Sequence, residues 1–207
     1  MKRRNLLLCV LFSLFIGNIF FNSNQLKAQD FKAGLLVGLN TSQIDGDGFG
    51  GYDKTGFKFG GFVRRHFTDE WAFQLELLFN QRGSQSKADE GENPLYSYEL
   101  NYLEIPLLAQ YYFLDELYAE AGLEFAYLLS ADEERNFITL DAADRTESIA
   151  INYSIGAGYN FYENFSVHLR LSNSLIPVRD SSLNVENSNK GQLSRVISFG
   201  ISYLFNK

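Results

Sequence analysis

Residues 71–83 alternate two kinds of side chain with a period of two. One set is Trp71, Phe73, Leu75, Leu77 and Phe79; the other is Ala72, Gln74, Glu76, Leu78, Asn80 and Arg82. Successive side chains of a strand point to opposite faces, so the stretch reads as a β-strand with a dry face and a polar one. It also has about the length that a tilted strand needs to cross a bilayer. The same alternation recurs in eight segments, at 31–41, 56–66, 71–83, 98–113, 117–130, 149–161, 165–175 and 196–205. In the fourth, Leu103, Ile105, Leu107, Ala109 and Tyr111 oppose Tyr102, Glu104, Leu108 and Gln110. In the last, Ile197, Phe199, Ile201, Tyr203 and Phe205 make the apolar face. The expected fold is therefore all-β.

The connections alternate in length. Those at 67–70, 114–116 and 162–164 are tight, whereas 42–55, 84–97, 131–148 and 176–195 are long and polar. Short turns at one end and long loops at the other mark an up-and-down barrel of the outer-membrane kind. With an even number of strands, both termini fall on the short-turn side, which is periplasmic in such barrels.

The first segment stands apart. Lys2, Arg3 and Arg4 precede an apolar run from Leu6 to Phe21, and a polar stretch then ends at Ala28. This is the layout of a cleaved secretory signal peptide over 1–28, leaving 29–207 as one barrel domain. Cys9 lies inside that signal, so the mature chain lacks cysteine, which excludes disulfides and thiol nucleophiles. The precursor has a formal charge of −7. Loss of Lys2, Arg3, Arg4 and Lys27, with no acid among them, takes it to −11. So acidic a chain argues against general nucleic-acid binding.

Alternation alone does not say which face is out, because a soluble barrel of the lipocalin kind has the same period with the apolar face inside. Four features favour the membrane. Soluble sheets load the wet face with Lys and Glu, whereas mid-strand lysine here is nearly confined to Lys58. The polar face mixes Gly, Ser and Asn with isolated charges, as a narrow, packed lumen requires. Phe31, Trp71, Tyr111, Phe113, Phe161, Phe165, Tyr203 and Phe205 gather near strand ends, like interfacial girdles. The strands are also long for a soluble domain. The expectation is a monomeric, eight-stranded antiparallel transmembrane barrel of the OmpA/OmpX-like architecture.

On that reading the lumen receives Lys58, Arg64, Glu76, Arg82, Glu104, Glu120, Glu124, His168 and Arg170. An eight-stranded bore is just wide enough to be filled by side chains, and unpaired charge there is costly, so these groups are expected to pair. The network reads as a structural plug, with a proton or ion path as the sharper alternative. Catalysis is not expected. A lipid-modifying hydrolase needs a nucleophile and a base together near the outer leaflet, but His66 and His168 both fall toward the short turns. The glycine-rich run at 45–51 resembles a calcium or phosphate loop only superficially. Position 56 is Gly56 where a calcium loop needs Glu, and the lysine and helix of a phosphate loop are missing. No cofactor or metal is expected. The acids Asp132, Glu133, Glu134, Asp141, Asp144 and Glu147 read as a solvated loop, or as carboxylates bridged by divalent ions to lipopolysaccharide phosphates.

The run Leu-Asn-Tyr-Leu-Glu-Ile-Pro-Leu-Leu-Ala-Gln-Tyr-Tyr at 100–112 resembles the PorT-type outer-membrane β-barrel family of Bacteroidota. So, in order, do 73–83, 121–131, 156–161 and 199–205. The resemblance implies an outer-membrane location. It also implies either a structural or interaction role at the cell surface, or an accessory role in an apparatus that exports proteins across the outer membrane. Expected partners are outer-membrane lipid, lipopolysaccharide, the barrel-assembly machinery and secretion-apparatus proteins. Ser198, Gly200, Tyr203 and Phe205 resemble the signal read by the assembly machinery, although Asn206 and Lys207 extend past the usual terminal aromatic.

Overall fold

The computed structural model describes residues 31–48, 50–86, 96–135, 138–179 and 191–205. The proposed signal segment lies outside the described residues. The strands are β1 (Phe31–Asp45), β2 (Lys54–His66), β3 (Trp71–Gln85), β4 (Tyr96–Tyr112), β5 (Leu117–Arg135), β6 (Ile138–Asp141), β7 (Ile149–Tyr162), β8 (Phe165–Ser174) and β9 (Leu193–Phe205). All strands but β6 pair antiparallel with their neighbours in sequence, and β1 closes onto β9 from Ala33↔Phe205 to Asp45↔Leu193. The result is the expected closed eight-stranded up-and-down barrel; closure leaves the eight barrel strands without an edge, and only the short β6, paired to β5 alone, ends a ladder.

The eight segments read from alternation match these strands to within a few residues at the short-turn end. At the loop end β1 to β5 and β9 run further, while β7 and β8 do not. β5 continues through the acidic run 132–134, where the alternation predicts a loop, and pairs there with β6. The reason is a bulge. The β4–β5 register shifts between Asn101 and Tyr102, so that Asn101 faces Ser130 while Tyr102 faces Leu128. An extra residue reverses the faces beyond it. Ala126 and Leu128 are buried below the bulge, and Ala131 and Glu133 above it.

The apolar face is outside. Leu35, Leu39, Phe73, Leu77, Leu107, Leu123, Ile155 and Phe199 are all exposed on the outer wall, whereas the opposite face of each of the eight barrel strands is largely buried. Aromatic rings crowd the short-turn end of this wall. Trp71 stacks near Tyr111 (centroids 4.9 Å apart) and Phe165 near Tyr203 (4.9 Å). The β3–β4 ladder skips Glu76 and Leu77, opposite the stretch holding Pro106. A proline has no N–H to give to a ladder.

Candidate functional site

The bore is filled in layers that each strand builds with every second residue. At the short-turn end, Arg64 on β2 donates from Nε to Gln74 Oε1 (2.7 Å) and from Nη1 to Tyr112 Oη (3.1 Å). Its guanidinium also lies 5.6 Å from the Tyr118 ring centroid. Tyr118 owes its space to Gly158, its cross-strand partner: a Cβ there would stand 2.1 Å from the ring.

The middle layer holds an ion triad. Arg170 on β8 donates to both oxygens of Glu76 on β3 (2.9 Å each) and from Nε to Glu120 on β5 (2.8 Å). Gln110 donates to the other Glu120 oxygen (3.1 Å). Lys58 meets Ser198 Oγ (2.9 Å) rather than a carboxylate. Above it, Arg82 pairs with Glu104 (3.3 Å) and lies over the Tyr102 ring, 4.2 Å from its centroid. Asn40 Nδ2 donates to Asn80 Oδ1 and Asn80 Nδ2 to the Glu104 carboxylate, both at 2.8 Å, which continues this layer. Glu124 accepts from Ser172 (2.9 Å) and Asn152 (3.4 Å).

The expectation of general pairing is thus corrected in detail. Arg82, Arg170, Glu76, Glu104 and Glu120 are in ion pairs, whereas Lys58, Arg64 and Glu124 are held by neutral side chains among the described residues. The reason is reach: Arg170 spans the bore to two carboxylates, while the others meet the Ser, Asn and Gln beside them first. Four cations and four carboxylates are involved, none more than 5 % exposed, so the interior is formally neutral. His168 lies inside the bore, 3 % exposed, with its ring over Gly200. His66 lies at the rim and packs on Tyr112, 5.1 Å between centroids, so the two histidines do not form one site.

The loop end carries a cap that alternation did not reveal. Ile44, Tyr98, Leu100, Tyr102, Leu128 and Val178 form a buried apolar cluster across the mouth. Its backbone is tied down: Val178 N–H donates to Gln192 O (2.8 Å), and Glu147 N–H donates to Val178 O (2.9 Å). The Tyr98 hydroxyl bonds Thr146 Oγ1, and Arg179 covers the Tyr98 ring at 4.3 Å. Arg179 and Arg135 both hold Glu133, at 3.1 and 2.6 Å. Glu133 is therefore not a solvated loop acid. Burial pushes its carboxyl up, but the hydrogen bond from Arg135 and the Arg179 charge outweigh this and hold it below the usual carboxylate range. The one available signal was the set Tyr98, Leu100, Tyr102 on the inward parity of β4; Val178 and Arg179 sit in a stretch without periodicity.

Of the residues matched to an assembly signal, Ser198 and Gly200 face the bore, and Tyr203 and Phe205 face outward within the aromatic girdle. The arrangement as a whole can anchor in lipid and block a passage.

A model of the outer membrane protein beta-barrel domain family matches residues 22–180, and the chain belongs to this family. Among solved structures it resembles the Yersinia pestis attachment invasion locus protein Ail, crystallised with the heparin analogue sucrose octasulfate. Identity is 16 %, the TM-score is 0.50, and the match covers 84 % of this chain and 99 % of that one. It also resembles Neisserial surface protein A, with 11 % identity, a TM-score of 0.54, and coverage of 84 % and 97 %. Both likenesses concern the fold. No curated protein sequence matches significantly.

Proposed function

We propose that this member of the outer membrane protein beta-barrel domain family is a closed, non-enzymatic surface barrel. The apolar belt anchors it as a monomer, and both termini lie in the periplasm. Its interacting surface is built by the strand extensions and loops at the other end. The observation that carries this reading is the bore: buried layers whose four cations and four carboxylates balance as a whole, bonded side chain to side chain, lie beneath the Ile44–Tyr98–Val178 cap. Such an interior conducts neither solutes nor ions, so it serves as a rigid stand for what projects from it.

The projecting end is acidic. Among the described residues Asp132, Asp141, Asp144 and Glu147 are exposed there, with Arg135, Arg145 and Arg195 as nearby cations. Ail binds a polysulfated ligand. The projecting end of this barrel, being acidic, favours a cationic partner, or lipopolysaccharide phosphates bridged by divalent ions, over an anionic glycan. The test is single-cysteine labelling of intact cells. A cysteine replacing Asp144 reacts from outside, and one replacing Asp115 reacts only after permeabilisation. The opposite pattern would overturn the orientation, and unitary conductance steps from the purified protein in planar bilayers would overturn the closed bore.

A second reading, an accessory of a protein-export apparatus, is supported by the PorT-type resemblance at 100–112. That segment is β4, whose inward residues Leu100, Tyr102, Glu104 and Gln110 are spent on the barrel's own interior. It favours a shared scaffold more than a shared partner. Loss of exported proteins from a deletion strain, with other barrels unaffected, would select the second reading.

A further inference from the structure

Arg65 is the single charged side chain on the outward face of the strands at the short-turn end, among the described residues. Its strand neighbours are Phe31 on β1 and Phe73 on β3. Its guanidinium stands 5.5 Å from the Phe31 ring centroid and 4.8 Å from that of Phe67. It forms no ion pair among the described residues, while Arg64, one residue earlier, points into the bore and is bonded there. A guanidinium held on two rings at the edge of the apolar belt sits where lipid headgroups lie, with its N–H groups open to an acceptor.

The wall beside Arg65 is grooved. A cavity of about 210 Å³ runs between Arg65, Phe67, Phe73 and Leu107. A second, of about 590 Å³, is lined by Leu35, Gly61, Leu77, Ile105 and Phe205. Val63 and Leu75 line both, so the two hollows adjoin and together extend from the guanidinium toward mid-belt. The notch exists because Gly61 breaks a row of bulky outward residues. An added Cβ there would meet only the Gly34 carbonyl oxygen, at 3.6 Å. Position 65 to position 61 spans about 13 Å at the rise of a strand, or about 10 Å of depth for a strand tilted about 40°, which stays within one leaflet of a hydrocarbon core about 30 Å thick.

We propose that Arg65 and the Val63–Gly61 groove form a binding site for one glycerophospholipid, the phosphate held by the guanidinium and an acyl chain lying over Gly61. A planar, unpaired guanidinium matches phosphate in charge and geometry. The groove supplies what free phosphate would not use. The choice of glycerophospholipid over the phosphorylated lipid of lipopolysaccharide rests on the proposed periplasmic placement of the short-turn end.

The test is native mass spectrometry of the full barrel released from detergent, titrated with phosphatidylethanolamine, with diacylglycerol of the same chains, with lipid A and with inorganic phosphate. Phosphatidylethanolamine should bind as a single adduct, and Arg65→Gln should weaken it about tenfold, the scale of one lost charge-assisted contact. Gly61→Leu, which fills the notch but leaves the cation, should weaken phosphatidylethanolamine as well. Both variants are checked as folded by heat-modifiable gel mobility. Equal binding of diacylglycerol, indifference to Arg65→Gln, or displacement of the lipid by inorganic phosphate would each overturn the site. Arg65-dependent binding of lipid A in place of phosphatidylethanolamine would overturn the lipid assignment and the orientation together; the cysteine labelling reads that orientation independently.

Discussion

Arg170 and Glu76 meet across the full width of the barrel, in a two-pronged ion pair with both N–O distances at 2.9 Å. β3 and β8 are four strands apart in either direction round the closed sheet, the greatest separation eight strands permit. The pair is thus a strut between opposite walls, and Arg170 Nε ties in a third wall through Glu120. Arg170→Met leaves two buried carboxylates without their cation. It should destabilise the barrel by about 3–5 kcal/mol in urea titrations in detergent micelles, the usual cost of breaking a buried pair from one side. Adding Glu76→Gln and Glu120→Gln to the same variant should recover most of that loss. A single Arg170→Met with unchanged stability would mean that the carboxylates reach water.

The Glu133–Arg179 contact makes the cap sensitive to acid. The Glu133 carboxyl lies below its ordinary value of 4.5 in the folded cap, because the Arg135 bond and Arg179 charge outweigh burial. A depressed acid stabilises the closed cap above the ordinary value. That contribution is lost as pH falls below 4.5 and through the lowered value. Hydrogen exchange at the Val178 and Gln192 amides, corrected for its intrinsic pH dependence, should therefore accelerate on acidification. In Glu133→Gln the cap should already be loosened at neutral pH, with the acid-dependent step gone. Acid-independent protection in the parent protein would show that the apolar cluster alone holds the cap.

Strand number, strand order and the outward apolar face were legible in the sequence, because period-two alternation is a one-dimensional record of which side of a sheet each residue takes. The fillers of the bore were legible for the same reason: Glu76, Glu104 and Arg170 have the inward parity. Their partners were not. Whether Arg170 meets Glu76 or Glu124 depends on stagger around the closed sheet, which no local pattern encodes. The cap was hidden twice over. The bulge near Leu129 reverses parity just where Glu133 turns inward, and Val178 is placed by backbone bonds to Gln192 and Glu147 rather than by any periodicity.

Gly158 is one position where the tight interior should tolerate little. A methyl group there would stand 2.1 Å from the Tyr118 ring, and Tyr118 in turn supports Arg64. Gly158→Ala should cost about 1–3 kcal/mol, the range for overpacking a full core. The unfolding midpoint should fall while the denaturant slope stays the same, since the surface exposed on unfolding barely changes. Pairing it with Tyr118→Leu should recover part of the loss. A Gly158→Ala barrel as stable as the parent would mean that the ring has room to move.

The last strand separates stability from assembly. Gly200 cannot test an assembly signal cleanly, because a Cβ there would come 2.3 Å from the His168 ring and disturb the bore. Phe205 can. Its side chain is 44 % exposed on the outer wall and touches the interior nowhere, its ring partner being the outward Tyr203 at 5.7 Å. If Ser198, Gly200, Tyr203 and Phe205 are read by an assembly machinery, Phe205→Ala should leave the refolded barrel within about 1 kcal/mol of the parent, as for other exposed sites that fill no cavity. In cells the same variant should deliver several-fold less folded barrel to the outer membrane, measured by heat-modifiable mobility after a pulse of synthesis. Equal delivery would show that the outward aromatics of β9 serve only the girdle. Loss of stability in the refolded protein would show that the girdle itself, through Tyr203 and Phe165, is part of what holds the β8–β9 seam.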